Sequence, residues 1–359
     1  MNLEIFAQGL QTLVSKCSLF PNQDLEAVAI INPTAGCFVR PAKAASAMQD
    51  MDAAIKNAAD IPVRTGTLAF RLYLTNAAKH ASKMAEDLID EAAMKPDSSW
   101  LVILASGDGT SLEFLDELSR APEDIRGRFT VLRLPMGTGN DGSDGRELSD
   151  SLSRLTGQGK LAVQQAIRVI PAAGSPASRR AANGEWRAFN IASIGMDAYI
   201  THMTNKLKTS FPGDSYKLWV DIATLFYDKV YPPKQMTIKA MDSSGSILAE
   251  HEGLFLLMAM GISGNRTYGS NIPILPGNDN VCAIRQMPLF KKLVLKGPLL
   301  KGRVEEIKEA IIFSADNIEI DYQNSILVQM DGEAELLNAE DFPLRLEKTG
   351  PVIRYIARL

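Results

Sequence analysis

Residues 101–118 read LVILASGDGTSLEFLDEL, and this stretch decides the fold. Its first four residues, Leu101–Leu104, form an apolar run of the length of a buried strand. A glycine-rich polar turn follows at residues 106–110, and the sequence Ser111–Leu118 predicts a helix. A strand that passes through a turn into a helix is the repeating unit of a parallel sheet.

The same alternation of strand and helix extends on both sides of this unit. Further strands are predicted at Ala27–Ile31, Phe70–Leu74 and Val131–Leu134, and further helices at residues 1–20, 41–59 and Ala77–Met94. We therefore expect residues 1–162 to form an N-terminal Rossmann-like α/β domain with a parallel sheet, to which residues 1–20 add an extra N-terminal helix.

The pattern changes to one that is mostly β after residue 162. Strands joined by turns are predicted at Ala162–Ile170, Trp186–Ile194, Gln235–Ala240, Ser246–His251, Gly253–Met260 and Val281–Met287, with one helix at Tyr216–Lys229. This pattern favours two packed antiparallel sheets, so residues 163–341 are predicted to form a C-terminal β-sandwich domain. Residues 342–359 are predicted to return to the N-terminal domain.

Composition excludes several classes of protein. A formal net charge of −4 gives no reason to expect a nucleic-acid partner. The three cysteines (Cys17, Cys37 and Cys282) have neither disulfide nor metal-ligand spacing, which favours a reducing, cytoplasmic location. No apolar run reaches the roughly 20 residues that cross a bilayer. The N-terminus also lacks the basic lead of a signal peptide. We predict no transmembrane segment, so any membrane contact is expected to be peripheral.

Three of the predicted strands end in polar turns that contain glycine. These turns are residues 32–36 (NPTAG), 106–110 (SGDGT) and 135–141 (PMGTGND). Glycine lets backbone N–H groups approach phosphate oxygens, and a helix that starts behind the turn adds a favourable dipole. One such turn is by default structural, whereas three at successive strand ends predict a polyphosphate site. Hydroxyl donors and oxygen ligands for Mg²⁺ lie in the same turns, at Thr110, Thr138, Asp108 and Asp141.

Five motifs follow one another in a fixed order along the chain. They are Asn-Pro-x-x-Gly at 32–36, Ser-Gly-Asp-Gly-Thr at 106–110, Pro-x-Gly-Thr-x-Asn-Asp at 135–141, Asn-x-x-x-x-Gly-x-Asp-Ala at 190–198 and Asp-Gly-Glu at 331–333. With these motifs the sequence resembles the diacylglycerol kinase catalytic domain family over nearly its whole length. That family includes soluble bacterial lipid kinases and sphingosine kinases, with NAD kinases as more distant relatives.

The resemblance implies an enzyme that uses ATP and Mg²⁺ to phosphorylate a lipid hydroxyl, with the active site in the cleft between the two domains. Its substrate would be a lipid at a membrane surface, with diacylglycerol as the leading acceptor, which is a reaction of phospholipid biosynthesis. Other acceptors stay open: a sphingoid base, another glycerolipid or, as in NAD kinases, a soluble alcohol. A nucleotide-binding regulator with weak catalysis is a further alternative, and a homodimer is also left open.

The resemblance also implies roles for individual residues. Nucleotide contacts are expected from Asn32, Pro33, Thr34, Gly36, Thr75, Ser106, Gly107, Asp108, Gly109, Thr110, Gly137, Thr138, Asn140 and Asp141. A structural Mg²⁺ would be held by Asp279 with carbonyls near Pro276 and Val281. Asp108 is a further catalytic candidate. Asp331 and Glu333 are both candidates for the general base, and their spacing on a strand would place both carboxylates on one side.

Departures from the family pattern include Ala35 where serine is common, Ala283 in place of a common aspartate, two further positions and one loop. Ser106 replaces the usual first glycine. Pro276–Ile284 resembles the family's Pro-x-x-x-Asp-Gly-x-Leu segment, and Asn280 stands there in place of the glycine, which we interpret as tolerance of a positive φ. The family normally continues as a helix after its Asn-Asp pair, whereas here residues 142–145 read GSDG.

A basic stretch near the C-terminal half of the chain has two interpretations. Basic residues at Lys291, Lys292, Lys296, Lys301 and Arg303 alternate with apolar ones at Leu289, Phe290, Leu293, Val294 and Leu295. The stretch is either a solvated helix or loop face or a contact with anionic lipid.

Overall fold

The computed structural model describes residues 2–137, 140–207, 225–268 and 272–359. The chain forms two compact units. The first consists of Met1–Gln164 together with Pro351–Leu359, and the second of Gln165–Gly350.

The first unit is a Rossmann-like α/β domain, as predicted. Its strands are β1 (Leu25–Ile31), β2 (Leu68–Leu74), β3 (Ser99–Ser106), β4 (Phe129–Pro135) and β5 (Gly159–Gln164). Its helices are α1 (Leu3–Ser15), α2 (Gly36–Val39), α3 (Pro41–Asn57), α4 (His80–Met94), α5 (Asp108–Arg120), α6 (Glu123–Arg126) and α7 (Leu148–Ser153). The sheet order is β2-β1-β3-β4, with all four strands parallel.

Burial explains why β3 lies near the centre of this sheet. Every residue from Trp100 to Ala105 is completely buried, so both faces of the strand are covered. Strands covered on both faces read as continuous apolar runs, which is the pattern seen in residues 101–104. On one face, residues such as Leu101 and Ile103 share a core with α1, α3 and α7.

The second unit contains the remaining strands, except for one at residues 353–358. They are β6 (Ile167–Ile170), β7 (Trp186–Ala188), β8 (Ile191–Gly195), β9 (Gln235–Met241), β10 (Ile247–Gly261), β11 (Arg266–Tyr268), β12 (Ile272–Leu275), β13 (Val281–Arg285), β14 (Ala310–Phe313), β15 (Asn317–Tyr322), β16 (Ile326–Met330), β17 (Glu333–Leu337) and β18 (Leu344–Lys348). The main sheet is antiparallel throughout, in the order β17-β16-β8-β10-β9-β15-β18-β6-β7, with β13 and β14 attached through β10.

Strand β10 joins the two halves of this sheet. Residues 247–254 pair with β9, whereas the later residues of the strand pair with β8 and β13. Apolar side chains from both halves, among them Ile238, Ile320, Met258 and Val328, lie in one core. This shared core is the arrangement of a β-sandwich, in agreement with the predicted fold class. The sequence reading split β10 at Glu252, but Gly253 continues the ladder with φ +148°.

The boundaries between the units differ from the sequence reading at two places. The strand predicted at Ala162–Ile170 is two strands, of which β5 belongs to the first unit and β6 to the second. Residues 342–350 remain in the second unit, because Leu344 and Leu346 of β18 are buried in its core. The returning strand is β19 (Ile353–Arg358), which lies between β4 and β5.

Helices of the second unit are α8 (Pro176–Arg180), α9 (Met196–Leu207), α10 (residues 225–230) and α11 (Leu289–Leu300). Most of the helix predicted at Tyr216–Lys229 lies outside the described residues. Among the residues that the structure describes, no helix is both long and apolar enough to cross a bilayer.

Candidate functional site

The predicted glycine turns follow neighbouring strands of the parallel sheet. Ile31 of β1 pairs with Leu74 of β2 and with Ala105 of β3, and Ser106 pairs with Pro135 of β4. Because these strands are parallel, the turns after them lie side by side at one edge of the sheet. The structure thus brings the turns at residues 32–36, 106–110 and 135–137 together with Thr75, whose N–H donates to the Ile31 carbonyl at 2.9 Å.

Asn32 organises the first turn and connects it to the second. Its Oδ1 accepts hydrogen bonds from the N–H of Thr34 at 3.0 Å and from the Thr34 hydroxyl at 2.8 Å. Its Nδ2 donates to Oγ1 of Thr110 at 3.0 Å. The proton of the Thr34 hydroxyl is therefore used within the turn. Thr110 accepts in this contact, so its own hydroxyl proton is available to an incoming acceptor.

Helix α5 begins at the second turn with a backbone suited to an anion. Gly107 is its N-cap residue, and within the described residues no side chain caps this end of the helix. The first N–H groups of a helix have no partner inside it and carry a partial positive charge. The N–H groups of Asp108, Gly109 and Thr110 are therefore placed to bind phosphate oxygens.

The second and third turns approach each other closely through two glycines. A Cβ atom added to Gly137 would lie 2.7 Å from the Cα of Gly107, so that no side chain fits between the two backbones. The N–H of Gly137 donates to Oδ1 of Asn140 at 2.6 Å, and Asn140 itself has φ +61°. Thr138, a predicted nucleotide contact, lies outside the described residues.

Asp108 connects the same two turns. Its carboxylate accepts hydrogen bonds from the N–H of Gly142 at 3.0 Å and from that of Asp141 at 3.4 Å. Burial raises the pKa of Asp108, against the lowering by these N–H groups and by the charge of Arg133. Asp108 therefore holds the Asp141–Gly142 backbone in place in addition to any role toward a metal.

The unusual segment at 142–145 has a structural explanation that the sequence reading missed. Arg133, which is in β4, donates to Oδ1 of Asp144 from Nη2 at 2.6 Å and from Nε at 3.1 Å, and its backbone N–H donates to Oδ2 at 2.6 Å. The Asp144 side chain is only 1% exposed. This buried pair fixes the loop that continues from the third turn. A single arginine in an otherwise apolar strand was the signal for it.

In the second unit, Asp331 and Glu333 do not lie on one strand, although the sequence had led us to expect that they would. Asp331 and Gly332 have φ +46° and +97°, and Met330 pairs with Glu333 across them. They are therefore the two central residues of a tight hairpin turn between β16 and β17. Asp-Gly is the sequence signature of such a turn, but neither flanking strand had been predicted.

The Asp331 side chain holds this turn against β8. Its Oδ1 accepts hydrogen bonds from the N–H groups of Asn190 at 3.0 Å and Ile191 at 2.9 Å, and its Oδ2 accepts one from Phe189. The backbone N–H of Asp331 donates in turn to the Ile191 carbonyl at 3.1 Å. The motif at 190–198 therefore contacts the Asp-Gly-Glu motif directly, whereas Glu333 lies exposed at the start of β17.

A buried polar network binds the backbone of Gly332, the second central residue of the turn. Gln329 accepts a hydrogen bond from the Gly332 N–H at 2.9 Å and donates to the Ser193 hydroxyl at 3.0 Å. Ser193 donates to Asp197, which is 1% exposed. Asn205 of α9 donates to the Gly332 carbonyl at 2.6 Å. Asp197 thus helps to position the turn through Ser193 and Gln329.

The predicted structural metal position is in a different part of the second unit. Asp279 precedes β13 and accepts a hydrogen bond from the Ser314 hydroxyl at 2.6 Å. The described residues contain no group of three or more His, Cys, Asp or Glu side chains that could hold a metal. A cation here would thus depend on Asp279, on carbonyls such as those of Pro276 and Val281, and on water. The Mg²⁺ site stays a prediction.

Asn280 does not have the positive φ that the sequence reading gave it. The residue is buried, and its amide bridges two segments of backbone. Nδ2 donates to the carbonyls of Gly261 at 3.1 Å and Ala315 at 2.9 Å, and Oδ1 accepts from the Ala315 N–H at 3.0 Å. Three satisfied hydrogen bonds, rather than a tolerant backbone, explain an asparagine at this position.

Asn280→Gly, which restores the family residue, is expected to lower the free energy of unfolding by about 2–4 kcal/mol, because buried backbone groups lose their partners. Asn265→Gly is the matched control, since Asn265 does have a positive φ of 54° and should tolerate glycine. Urea unfolding of both variants measures the difference. Equal stability of Asn280→Gly and the unchanged protein would contradict the bridging role.

Comparison with known proteins supports the resemblance. The family model described as the diacylglycerol kinase catalytic domain matches residues 26–170. No curated protein is significantly similar to the chain in sequence. A crystal structure from Bacillus anthracis str. Sterne, described as a "putative diacylglycerol kinase", superposes with a TM-score of 0.57 at 16% identity. A second structure from that organism, described as a diacylglycerol kinase, gives a TM-score of 0.55 at 14% identity.

Each superposition covers 93% of this chain and 97% of the other. At these identities the likeness concerns the fold. The resemblance to the diacylglycerol kinase catalytic domain is therefore confirmed over residues 26–170, and the chain as a whole shares its fold with those two solved structures.

Proposed function

We propose that this protein transfers the γ-phosphoryl group of ATP to the hydroxyl group of a lipid, with diacylglycerol as the leading acceptor. The observation that carries the proposal is the group of three turns at one edge of the parallel sheet, where helix α5 begins without a side-chain cap among the described residues. In the cell it would act as a cytoplasmic enzyme that contacts a membrane surface during catalysis.

The residues at the sheet edge fit a polyphosphate. Backbone N–H groups at the start of α5 would bind phosphate oxygens, and the Thr110 hydroxyl would donate a further bond. Mg²⁺ that arrives with ATP would neutralise charge on the transferred group. Asp141 and Asp108 are the nearby carboxylates, and Asp108 also fixes the Asp141 backbone.

We expect Gly137→Ala to weaken ATP binding by about tenfold or more, because the new Cβ would force the Gly137 and Gly107 backbones apart. Gly350→Ala is the matched control, since a Cβ there meets nothing within 4 Å. Isothermal titration of both variants with ATP·Mg²⁺ measures the effect. Unchanged ATP affinity of Gly137→Ala would show that the close contact between these two turns does not contribute to nucleotide binding.

Glu333 is the proton acceptor that we assign, with Asp331 as the residue that positions the turn. Phosphoryl transfer to an alcohol needs a carboxylate near the acceptor hydroxyl to take its proton. The Asp331 carboxylate already accepts three backbone N–H groups, which reduces what it can offer to a substrate. Glu333 lies two residues further along the chain and is exposed, so an acceptor can reach its side chain.

The activity is tested with γ-labelled ATP, Mg²⁺ and mixed micelles that contain either diacylglycerol or a sphingoid base, next to glycerol and NAD in solution. Label in the organic phase with diacylglycerol is the expected result, and label with a sphingoid base would transfer the assignment to that acceptor. Label found only in glycerol or NAD would overturn the assignment of a lipid as the acceptor. ATP binding without any labelled product would indicate a nucleotide-binding regulator.

A further inference from the structure

In helix α11 several apolar side chains are exposed to solvent, whereas one lysine side chain is buried. Phe290 is 78% exposed and Val294 is 59% exposed, whereas Lys292 is only 3% exposed. Leu289 and Leu293 are also nearly half exposed. A helix of a water-soluble protein usually packs its apolar stripe against the core. Here the exposed apolar residues need another partner to cover them.

The inward position of Lys292 is fixed by an ion pair with helix α10. Lys292 Nζ lies 2.6 Å from each carboxylate oxygen of Asp228. Helix α10 itself exposes Leu225, Phe226 and Val230 by about half. The pair therefore brings helix α10, which carries a second set of exposed apolar side chains, into contact with helix α11. We call these seven residues, Leu225, Phe226, Val230, Leu289, Phe290, Leu293 and Val294, the apolar patch.

The charge around the patch favours an anionic partner. Residues 289–309 contain six basic and three acidic side chains, although the whole chain has a net charge of −4. Helix α11 itself contains lysines and no acidic residue. Lys291 is paired with Glu309, Lys292 with Asp228 and Arg303 with Glu306, so part of the positive charge is neutralised locally. Since the basic residues outnumber the acidic ones, a net positive charge remains beside the apolar patch.

We propose that the apolar patch docks on the surface of an anionic lipid bilayer. The inference rests on the proposed function, because a lipid acceptor resides in such a bilayer. A helix of 12 residues is too short to cross the hydrocarbon core. It can instead lie in the interface with its exposed apolar side chains among the acyl chains and the exposed Lys291 and Lys301 near the head groups. Both the exposed side chains and the local charge match that environment.

Co-sedimentation with vesicles tests the proposal. The double variant Phe290→Ser/Val294→Ser is compared with Val63→Ser/Met94→Ser, which removes two apolar residues of similar exposure from the first unit. Vesicles are made of phosphatidylcholine alone or of phosphatidylcholine mixed with phosphatidylglycerol. We expect the unchanged protein and the control to prefer the mixed vesicles, and the patch variant to bind them at least about tenfold more weakly. Matching thermal unfolding curves establish that the patch variant is folded.

Two outcomes would overturn the docking surface. One is equal vesicle binding by the patch variant and the control. The other is that the unchanged protein and the control form a dimer in sedimentation equilibrium, the patch variant does not, and none of the three proteins binds vesicles. Kinase activity toward diacylglycerol in detergent micelles separates the two proposals. Patch-dependent vesicle binding without any lipid phosphorylation would retain the docking surface and overturn the proposed function.

Discussion

Glu333→Gln is expected to lower the rate of lipid phosphorylation by about 10²- to 10⁴-fold, because the acceptor hydroxyl loses the group that takes its proton. Glutamine keeps the size and polarity of the side chain, so thermal stability and ATP affinity should be unchanged. The measurement is the initial rate with γ-labelled ATP and diacylglycerol in mixed micelles, over a range of pH and lipid concentration. A loss of kcat without a rise in KM is the signature of the assigned role.

Two further variants give this result its meaning. Glu335→Gln lies two residues along the same strand, where Glu335 pairs with Arg180 at 3.5 Å, and should retain nearly full activity. Asp331→Asn should lower both activity and stability, because an amide group would face backbone N–H donors that now have a carboxylate. If Asp331→Asn keeps full stability and Glu333→Gln keeps its activity, the roles that we assign to the two residues would have to be exchanged.

Arg133→Met is expected to lower the free energy of unfolding of the first unit by about 3–5 kcal/mol. Methionine fills much of the space of the arginine stem but leaves the Asp144 carboxylate, 1% exposed, without its cationic partner. Unfolding in urea, followed by circular dichroism, measures the loss. The loop at 140–145 should loosen at the same time, so ATP binding should weaken even where the protein remains folded.

An exposed pair provides the control for this prediction. Lys83 lies 3.0 Å from Asp87 on the surface of α4, and Lys83→Met should leave the free energy of unfolding nearly unchanged, because water already solvates this exposed pair. The double variant Arg133→Met/Asp144→Leu should recover part of the stability, because it also removes the stranded charge. A similar small cost for Arg133→Met and Lys83→Met would show that the buried pair contributes little to the loop.

The first unit could be predicted well from the sequence, because its central strands are buried on both faces. Continuous apolar runs such as Leu101–Leu104 reveal such strands directly, and the glycine turns mark where they end. The second unit was harder to predict. Strands β14–β18 were missed because each is only four to six residues long, which is too short for a clear hydrophobic periodicity.

Contacts between distant residues explain most of what the sequence reading missed in the candidate site. Asn280 was misread because its three hydrogen bonds join segments that are far apart in sequence, and only the register of β10, β13 and β14 brings them together. Lys292 would have been placed on the solvent side of any helix, yet Asp228 draws it inward. The Asp331–Gly332 turn could have been predicted, since Asp-Gly between two strands is a strong local signal.

The order of strands in the first sheet has a consequence for how the chain folds during synthesis. Strand β19 lies between β4 and β5, but the ribosome makes it after the entire second unit. Until then β5 has no neighbour in the sheet, and the far edge of β4 presents unpaired N–H and C=O groups. A nascent chain therefore carries an open edge through about half of its translation. We expect that interval to be the stage at which chaperones bind and at which a truncated chain aggregates.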